Sequence, residues 1–258
     1  RGEKITTAAL AEVCGALGQD GRAEALLRRA RDLCLKTLGR SHALTGSVLN
    51  NLGCFCIERL SAFEEGARLL EQALEARRAA LGDEHPDVAQ AHHNLGELAA
   101  IRGDWPRAVE EQRRALALLD RALGPTAAEK APSLASLALA LANLGRPDEA
   151  LEAARRACEV EDGRIDNVFS FASERQKLAY LEPLLAQADF MLTLASGPLA
   201  GERGAAAWAA DVILGRKGLV ADSFAWPRML AAARSDDALA QGLRRLGDLR
   251  SRIASLSL

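Results

Sequence analysis

Four histidines and five cysteines are the residues best placed to do chemistry in this sequence. His92 and His93 form the most suggestive pair. Adjacent residues on a straight helix point about 100° apart, so the two cannot readily share one metal ion. One is expected to face inward and the other a neighbouring helix. His85 precedes Pro86 and reads as a helix-entry residue. The cysteines, Cys14, Cys34, Cys54, Cys56 and Cys158, are odd in number and lie in apolar, helix-like stretches. Packing as small hydrophobes in a reducing, cytoplasmic compartment accounts for them. Cys54-Phe55-Cys56 lacks zinc-ligand spacing, and no second pair completes four ligands. No serine, histidine and acid arrangement suggests a nucleophile. Gly215-Arg216-Lys217-Gly218 lacks the Gly-Lys-Ser/Thr of a phosphate loop. No catalytic residue, metal or cofactor is expected.

The elements that must carry these residues are helices. Of 258 residues, 49% are apolar, 26% charged and only 4% aromatic, with Ala, Leu and Arg abundant. Such side chains lose little freedom in a helix, and the β-branched and aromatic residues that favour strands are scarce. The net charge of −2 gives no electrostatic reason to expect nucleic acid or an acidic membrane surface. Paired arginines at 28–29, 77–78, 113–114, 155–156 and 244–245 sit beside glutamates in helical segments and read as solvated helix faces. No apolar run approaches the ~20 residues that span a bilayer. Arg1-Gly2-Glu3-Lys4 is not a signal peptide and lacks an initiator Met, so an internal fragment or processed product is expected.

Internal repetition is the clearest signal. Leu-Gly recurs at Leu38-Gly39, Leu81-Gly82 and Leu123-Gly124, at spacings of 43 and 42. Ala30, Ala73, Ala115 and Ala157 share one register, 43, 42 and 42 apart. Each unit reads as a helical hairpin. In the third, a helix from about Val88 to Ile101 opens at Pro86, Gly103-Asp104 makes a turn, and Trp105-Pro106 starts a second helix ending near Leu123. Gly96, Ala108 and Ala115 fall where the helices must approach closely, and Leu95, Leu98, Trp105, Leu116 and Leu119 fill the rest. One hairpin cannot bury its apolar face alone, so neighbours must stack into a solenoid.

These residues resemble the tetratricopeptide repeat in its longer, kinesin light chain form. The family pattern of Leu-Gly, Gly-x-aromatic and two alanines is met by Leu95-Gly96, Gly103, Trp105, Ala108 and Ala115. The second unit keeps Leu52-Gly53, Phe63 and Ala73, with Gly66 at the first alanine position and one extra turn residue. The fourth keeps Leu137-Ala138, Gly145, Ala150 and Ala157, with Pro147 for the aromatic. The first keeps Gly18, Ala23 and Ala30. The resemblance implies an all-α, right-handed α-solenoid of about four repeats over residues 1–162, followed by additional helices over 163–258.

The resemblance also implies a concave groove lined by the first helix of each repeat. Its inward positions are Ser47, Asn50, Asn51, Cys54 and Glu58, then Gln90, His93, Asn94, Glu97 and Ile101, then Ala135, Ser136, Leu139 and Asn143. A protein or peptide ligand is expected to meet Asn50, Asn51, Gln90, His93, Asn94, Glu97 and Asn143. In the family an asparagine just before the Leu-Gly often binds the peptide backbone, because an amide donates and accepts at once. Asn51 and Asn94 hold that position, and Ser136 breaks it in the fourth unit. The alternative is that they cap or bridge neighbouring helices. No lysine stands at the inward positions, so a clamp for a C-terminal carboxylate is not expected.

After Asp162 the period is lost. Residues 169–194 read as a long amphipathic helix with a kink or break at Pro183, 202–224 as another, and 235–256 as a third, with Leu239, Leu243, Leu246, Leu249, Ile253 and Leu256 at helical spacing. The phrase Phe169-Ser170-Phe171-Ala172-Ser173-Glu174-Arg175-Gln176, with Val212-Ile213-Leu214-Gly215-Arg216-Lys217-Gly218-Leu219-Val220 after it, resembles the region preceding a CHAT domain. That domain is a caspase-like protease fold found beside tetratricopeptide repeats in bacterial proteins. The resemblance implies a C-terminal caspase-like partner domain beyond Leu258. Relatives of this kind serve antiviral defence, including as partners of RNA-guided effectors, or cut pore-forming proteins. The family's His and Cys dyad lies in the protease domain, and no histidine here is followed by glycine. The expected function is therefore a non-catalytic, protein-binding regulatory module. A free-standing adaptor and the repeat part of a transcriptional regulator are the alternatives.

Overall fold

Proline and glycine set the helix boundaries where the repeats place them. The computed structural model describes residues 14, 18–125, 127–171, 181–202 and 204–223. Among these it contains nine α-helices and no strand: α1 (Asp20–Leu38), α2 (Ala43–Glu58), α3 (Phe63–Leu81), α4 (Pro86–Ile101), α5 (Trp105–Leu123), α6 (Ala131–Asn143), α7 (Pro147–Phe171), α8 (Leu181–Ser196) and α9 (Ala205–Ser223), with a 3₁₀ turn at Ala128–Lys130. Pro86 opens α4, where its missing N–H forfeits no bond. His85 caps that helix, its Nδ1 accepting from the Asp87 N–H at 3.1 Å. His42, 43 residues earlier, caps α2 in the same way, accepting from the Leu44 N–H at 3.0 Å. The expected helix-entry role of His85 thus holds, and His42 shares it.

The chain divides into two compact units, Arg1–Ala140 and Leu141–Leu258, with α6 crossing the boundary. In the first, α2 packs on α3 and α4 on α5 as hairpins, while α1 meets α2 and α3 meets α4. The core is a chain of small clusters. Leu27, Leu49, Leu52, Cys56, Leu69 and Ala73 form one, Ile57, Leu70, Leu95 and Leu98 the next, and Val88, Ala89, Ala115, Leu118 and Leu119 a third. The turn between the two helices of a hairpin needs a left-handed residue, which Gly18, Gly103 and Gly145 supply at φ +71°, +74° and +68°. In the second hairpin that position falls to Ser61, at φ +52°.

Gly66, the second unit's departure from the alanine pattern, has a steric cause. A Cβ there would stand 2.5 Å from Ile57 Cγ1 and 3.1 Å from the Gly53 carbonyl, so α2 and α3 approach more closely than alanine permits. Four described cysteines, Cys14, Cys34, Cys56 and Cys158, are buried as free thiols, and Cys54 is half-buried.

One surface expectation fails. Arg77 is not on a solvated face: it is 3% exposed, its stem crossing α2 at Gly46, where a Cβ would lie 2.9 Å from Arg77 Cγ. Arg78 beside it is exposed, as expected, with its Nε 3.3 Å from Asp83.

In the second unit α8 packs on α9, and α9 meets α7. Cys158, Met191, Leu192, Ala195, Ala209 and Ile213 form its core, with the Cys158 Sγ 3.8 Å from the Met191 Sδ. Pro183 is the third residue of α8, and the stretch immediately before that helix, on which the expected kink or break bears, lies outside the described residues. The phrase around Gly215 lies in α9. Residues 172–180, and the expected helix over 235–256, lie outside the described residues.

Candidate functional site

Gln90, His93, Asn94 and Glu97 stand at i, i+3, i+4 and i+7 on α4 and so share one face. Gln90 and Glu97 are exposed, and His93 and Asn94 half-buried. Beside them on α2, Asn51 is half-buried, but Asn50 is only 5% exposed. Asn50 is a bridge rather than a surface group. Its Oδ1 accepts from Asn94 Nδ2 at 2.7 Å and from Arg77 at 3.5 Å, while its Nδ2 lies 3.5 Å from Asn51 Oδ1. Asn94 thus bridges adjacent repeats, through Asn50 rather than through Asn51. Asn143, exposed at the last position of α6, belongs to the second unit.

Arg77 is the residue that sequence reasoning missed. Besides Asn50, its guanidinium donates to the Asp87 carbonyl at 2.8 Å and to Gln90 Oε1 at 3.3 Å, while its Nε has no partner. Burial lowers its pKa, against the opposing pull of the Asp87 carboxylate. Because Arg77 engages Gln90 Oε1, the amide is held with Nε2 turned away from Arg77. Asn94 is fixed in the same manner: its Nδ2 is committed to Asn50, leaving Oδ1 as an acceptor. One position offers donors and the other an acceptor, which is what an extended main chain requires.

The two neighbouring histidines both reach α5, through different residues. His92 is 2% exposed and points at the partner helix, its Nδ1 2.6 Å from Glu111 Oε2 and its Nε2 3.2 Å from Arg78. A guanidinium can only donate, so Nε2 accepts and Nδ1–H donates to Glu111. His93 also meets α5, and it is half-buried rather than buried. Its Nδ1 lies 3.1 Å from both Gln112 Oε1 and Ser133 Oγ, and its Nε2 is 3.8 Å from Glu97. Gln112 also donates to the His93 carbonyl at 3.1 Å, so α5 holds this histidine from both ends. Ser136 donates to Glu97 at 2.9 Å, continuing the polar row onto α6.

Between α4, α5 and the start of α6 lies a cleft of about 420 Å³. Gln90, His93, Asn94 and Ser133 line it together with Asp87, Glu129 and apolar walls from Ala89, Leu119 and Pro132. Farther along the face, burial together with Glu58 and Glu97 pushes the Cys54 thiol up to about 11, so that thiol stays protonated and unreactive at neutral pH. Among the described residues no three His, Cys, Asp or Glu side chains converge as metal ligands, and no helix is long and apolar enough to cross a membrane.

Stacked hairpins with a side-chain row along one face define a tetratricopeptide-type α-solenoid. Two overlapping stretches, 54–121 and 87–160, match the tetratricopeptide repeat family, and the chain carries tetratricopeptide repeats. No curated protein matches the sequence. Among solved structures, BtubC (BKLC) from P. vanneervenii is 21% identical with a TM-score of 0.57 over 62% of this chain; the chain spans 64% of that protein's length. The kinesin light chain TPR-like repeats of Podosopora anserina give 20% and 0.58, covering 86% of this chain and 96% of theirs. A Rap protein complexed with Competence and Sporulation Factor gives 18% and 0.57, covering 97% and 64%. At these identities the likeness is one of fold.

Proposed function

We propose that this chain is the protein-binding, regulatory part of a bacterial CHAT-type protease, holding a peptide segment of an activator or substrate on the α2–α4–α6 face. The observation that carries the binding reading is the Arg77-centred network, which orients Gln90 and Asn94 as a donor and an acceptor at the edge of a cleft. A Rap protein of the same fold is complexed with Competence and Sporulation Factor, which supports a ligand-binding role. The protease reading rests on the two phrases at 169–176 and 212–220. In it residues 1–162 bind, residues 163–258 relay occupancy to a caspase-like domain, and the module works in the cytoplasm.

Two experiments test this. Gln90→Ala with Asn94→Ala should weaken capture of the partner from the native host at least tenfold, while unfolding free energy falls by only about 1 kcal/mol per hydrogen bond removed. Undiminished capture removes the groove assignment. Reading the gene past Leu258 tests the parent. A His-Gly and a distant Cys support the protease, a stop codon soon after Leu258 favours the free-standing adaptor, and an upstream helix-turn-helix favours the transcriptional regulator.

A further inference from the structure

We propose that the cleft between α4, α5 and α6 is the subsite for an arginine side chain of the bound peptide, a proposal that rests on the groove reading above. The repeat itself supplies the argument. Superimposing registers, Gly46 corresponds to Ala89 and Asn50 to His93, at a spacing of 43, while Arg77 corresponds to Leu119 and Asp87 to Glu129, at a spacing of 42. In the second repeat, glycine at the first position lets the Arg77 stem through, and its guanidinium fills the space beside Asp87 and Gln90. One repeat later the pair becomes Ala89 and Leu119. Leucine ends at Cδ, where an arginine chain still has its whole guanidinium to come, and the space beyond it is the 420 Å³ cleft. The chain thus fills one junction with its own arginine and leaves the homologous junction open.

The lining suits the same group. Ala89, Leu119 and Pro132 offer apolar surface to a methylene stem, and Ser133 and the Glu129 carboxylate can accept from its head. The cations nearby are already engaged: Arg77 on the Asp87 carbonyl and Gln90 Oε1 at the cleft's edge, Lys130 buried against Asp120 and the Pro125 carbonyl, and Arg121 3.6 Å from Glu84. Among the described residues Glu129 has no Lys or Arg within ion-pair reach. The Glu129 and Asp87 carboxylates would repel an acidic side chain here.

The test uses an acetylated, amidated heptapeptide of glycine and serine with one central arginine, and counterparts carrying lysine, glutamate or alanine at the centre. Each is titrated into the isotope-labelled full chain while the amide resonances of Gln90, Asn94 and Ser133 are followed. The arginine peptide should shift them at concentrations at least tenfold below the glutamate peptide, and less so at high salt. Glu129→Gln should weaken it about threefold. Leu119→Arg combined with Ala89→Gly copies the second repeat and should abolish the response while the chain melts as a folded protein. If that double variant fails to fold, Glu129→Gln and the peptide series still decide. Equal shifts from the alanine or glutamate peptide overturn the arginine subsite and leave the groove standing. Silence at all three residues with all four peptides overturns the subsite and the groove reading together.

Discussion

Ser61 holds a left-handed backbone, φ +52°, where the other hairpins have Gly18, Gly103 and Gly145. A side chain in that region crowds its own carbonyl, and glycine does not. Ser61→Gly should therefore stabilise the protein by about 1 kcal/mol in urea unfolding, the relief exceeding glycine's extra chain entropy. A loss of stability would show that the serine side chain contributes more than its backbone costs. Glu111 gives a pH signature. Burial raises its pKa, but the hydrogen bond from His92 and the charges of Arg114 and Arg107 outweigh burial and leave it below the ordinary carboxylate value. A depressed folded-state pKa contributes stability that is present above the unfolded pKa, about 4.3, and is lost as pH falls through the folded value. Glu111→Gln should thus be less stable than the native chain at neutral pH, with the gap holding down to about pH 5 and closing below it. A gap that widens on acidification would reverse the assigned sign.

At the scale of elements, the α2–α3 contact is set by two glycines face to face, Gly53 and Gly66. Gly66→Ala restores the repeat pattern yet should destabilise by about 1–3 kcal/mol, since the new methyl meets Ile57 Cγ1 at 2.5 Å. Ile57→Val removes only the outer methyl, Cδ1, which lies 3.0 Å from that site, so it should recover part of the loss in a double-mutant cycle. Strict additivity would place the strain in the backbone instead. These elements were legible in the sequence because their signals are local. Pro86, Gly103 and the Leu-Gly endings each act on their own turn, and α4 and α5 begin and end where those residues put them. Gly66 shows the limit of such reading. It could be seen as a departure from the pattern, but its cause is a contact with Ile57 across the hairpin.

At the scale of the molecule, the first unit is a row of hairpins joined by interfaces, and its cooperativity depends on what crosses them. The polar part of the interface between the second and third repeats was legible only in fragments. The positions of Asn50, Gln90, His93 and Asn94 followed from the register, yet the group that joins two of them, Asn50 and Gln90, did not. Arg77 stands beside Arg78 and near Glu75, the pattern of a solvated face, and only Gly46, distant in sequence, betrays the stem that crosses there. Through Asn50, the Asp87 carbonyl and Gln90, Arg77 ties α3 to α2 and to the start of α4. Arg77→Ala should cost about 2–3 kcal/mol, because it removes hydrogen bonds to a charged donor and leaves a void in place of a buried side chain beside the buried Asn50 amide. It should also lower the slope of the urea transition, as the second and third repeats begin to unfold separately. Leu118→Ala is the comparison, since Leu118 packs in the third cluster, away from this polar bridge. Its loss should shift the midpoint with the slope intact. Equal slopes in the two variants would mean that the apolar contacts alone couple the repeats, and that Arg77 serves only to aim the amides of the groove.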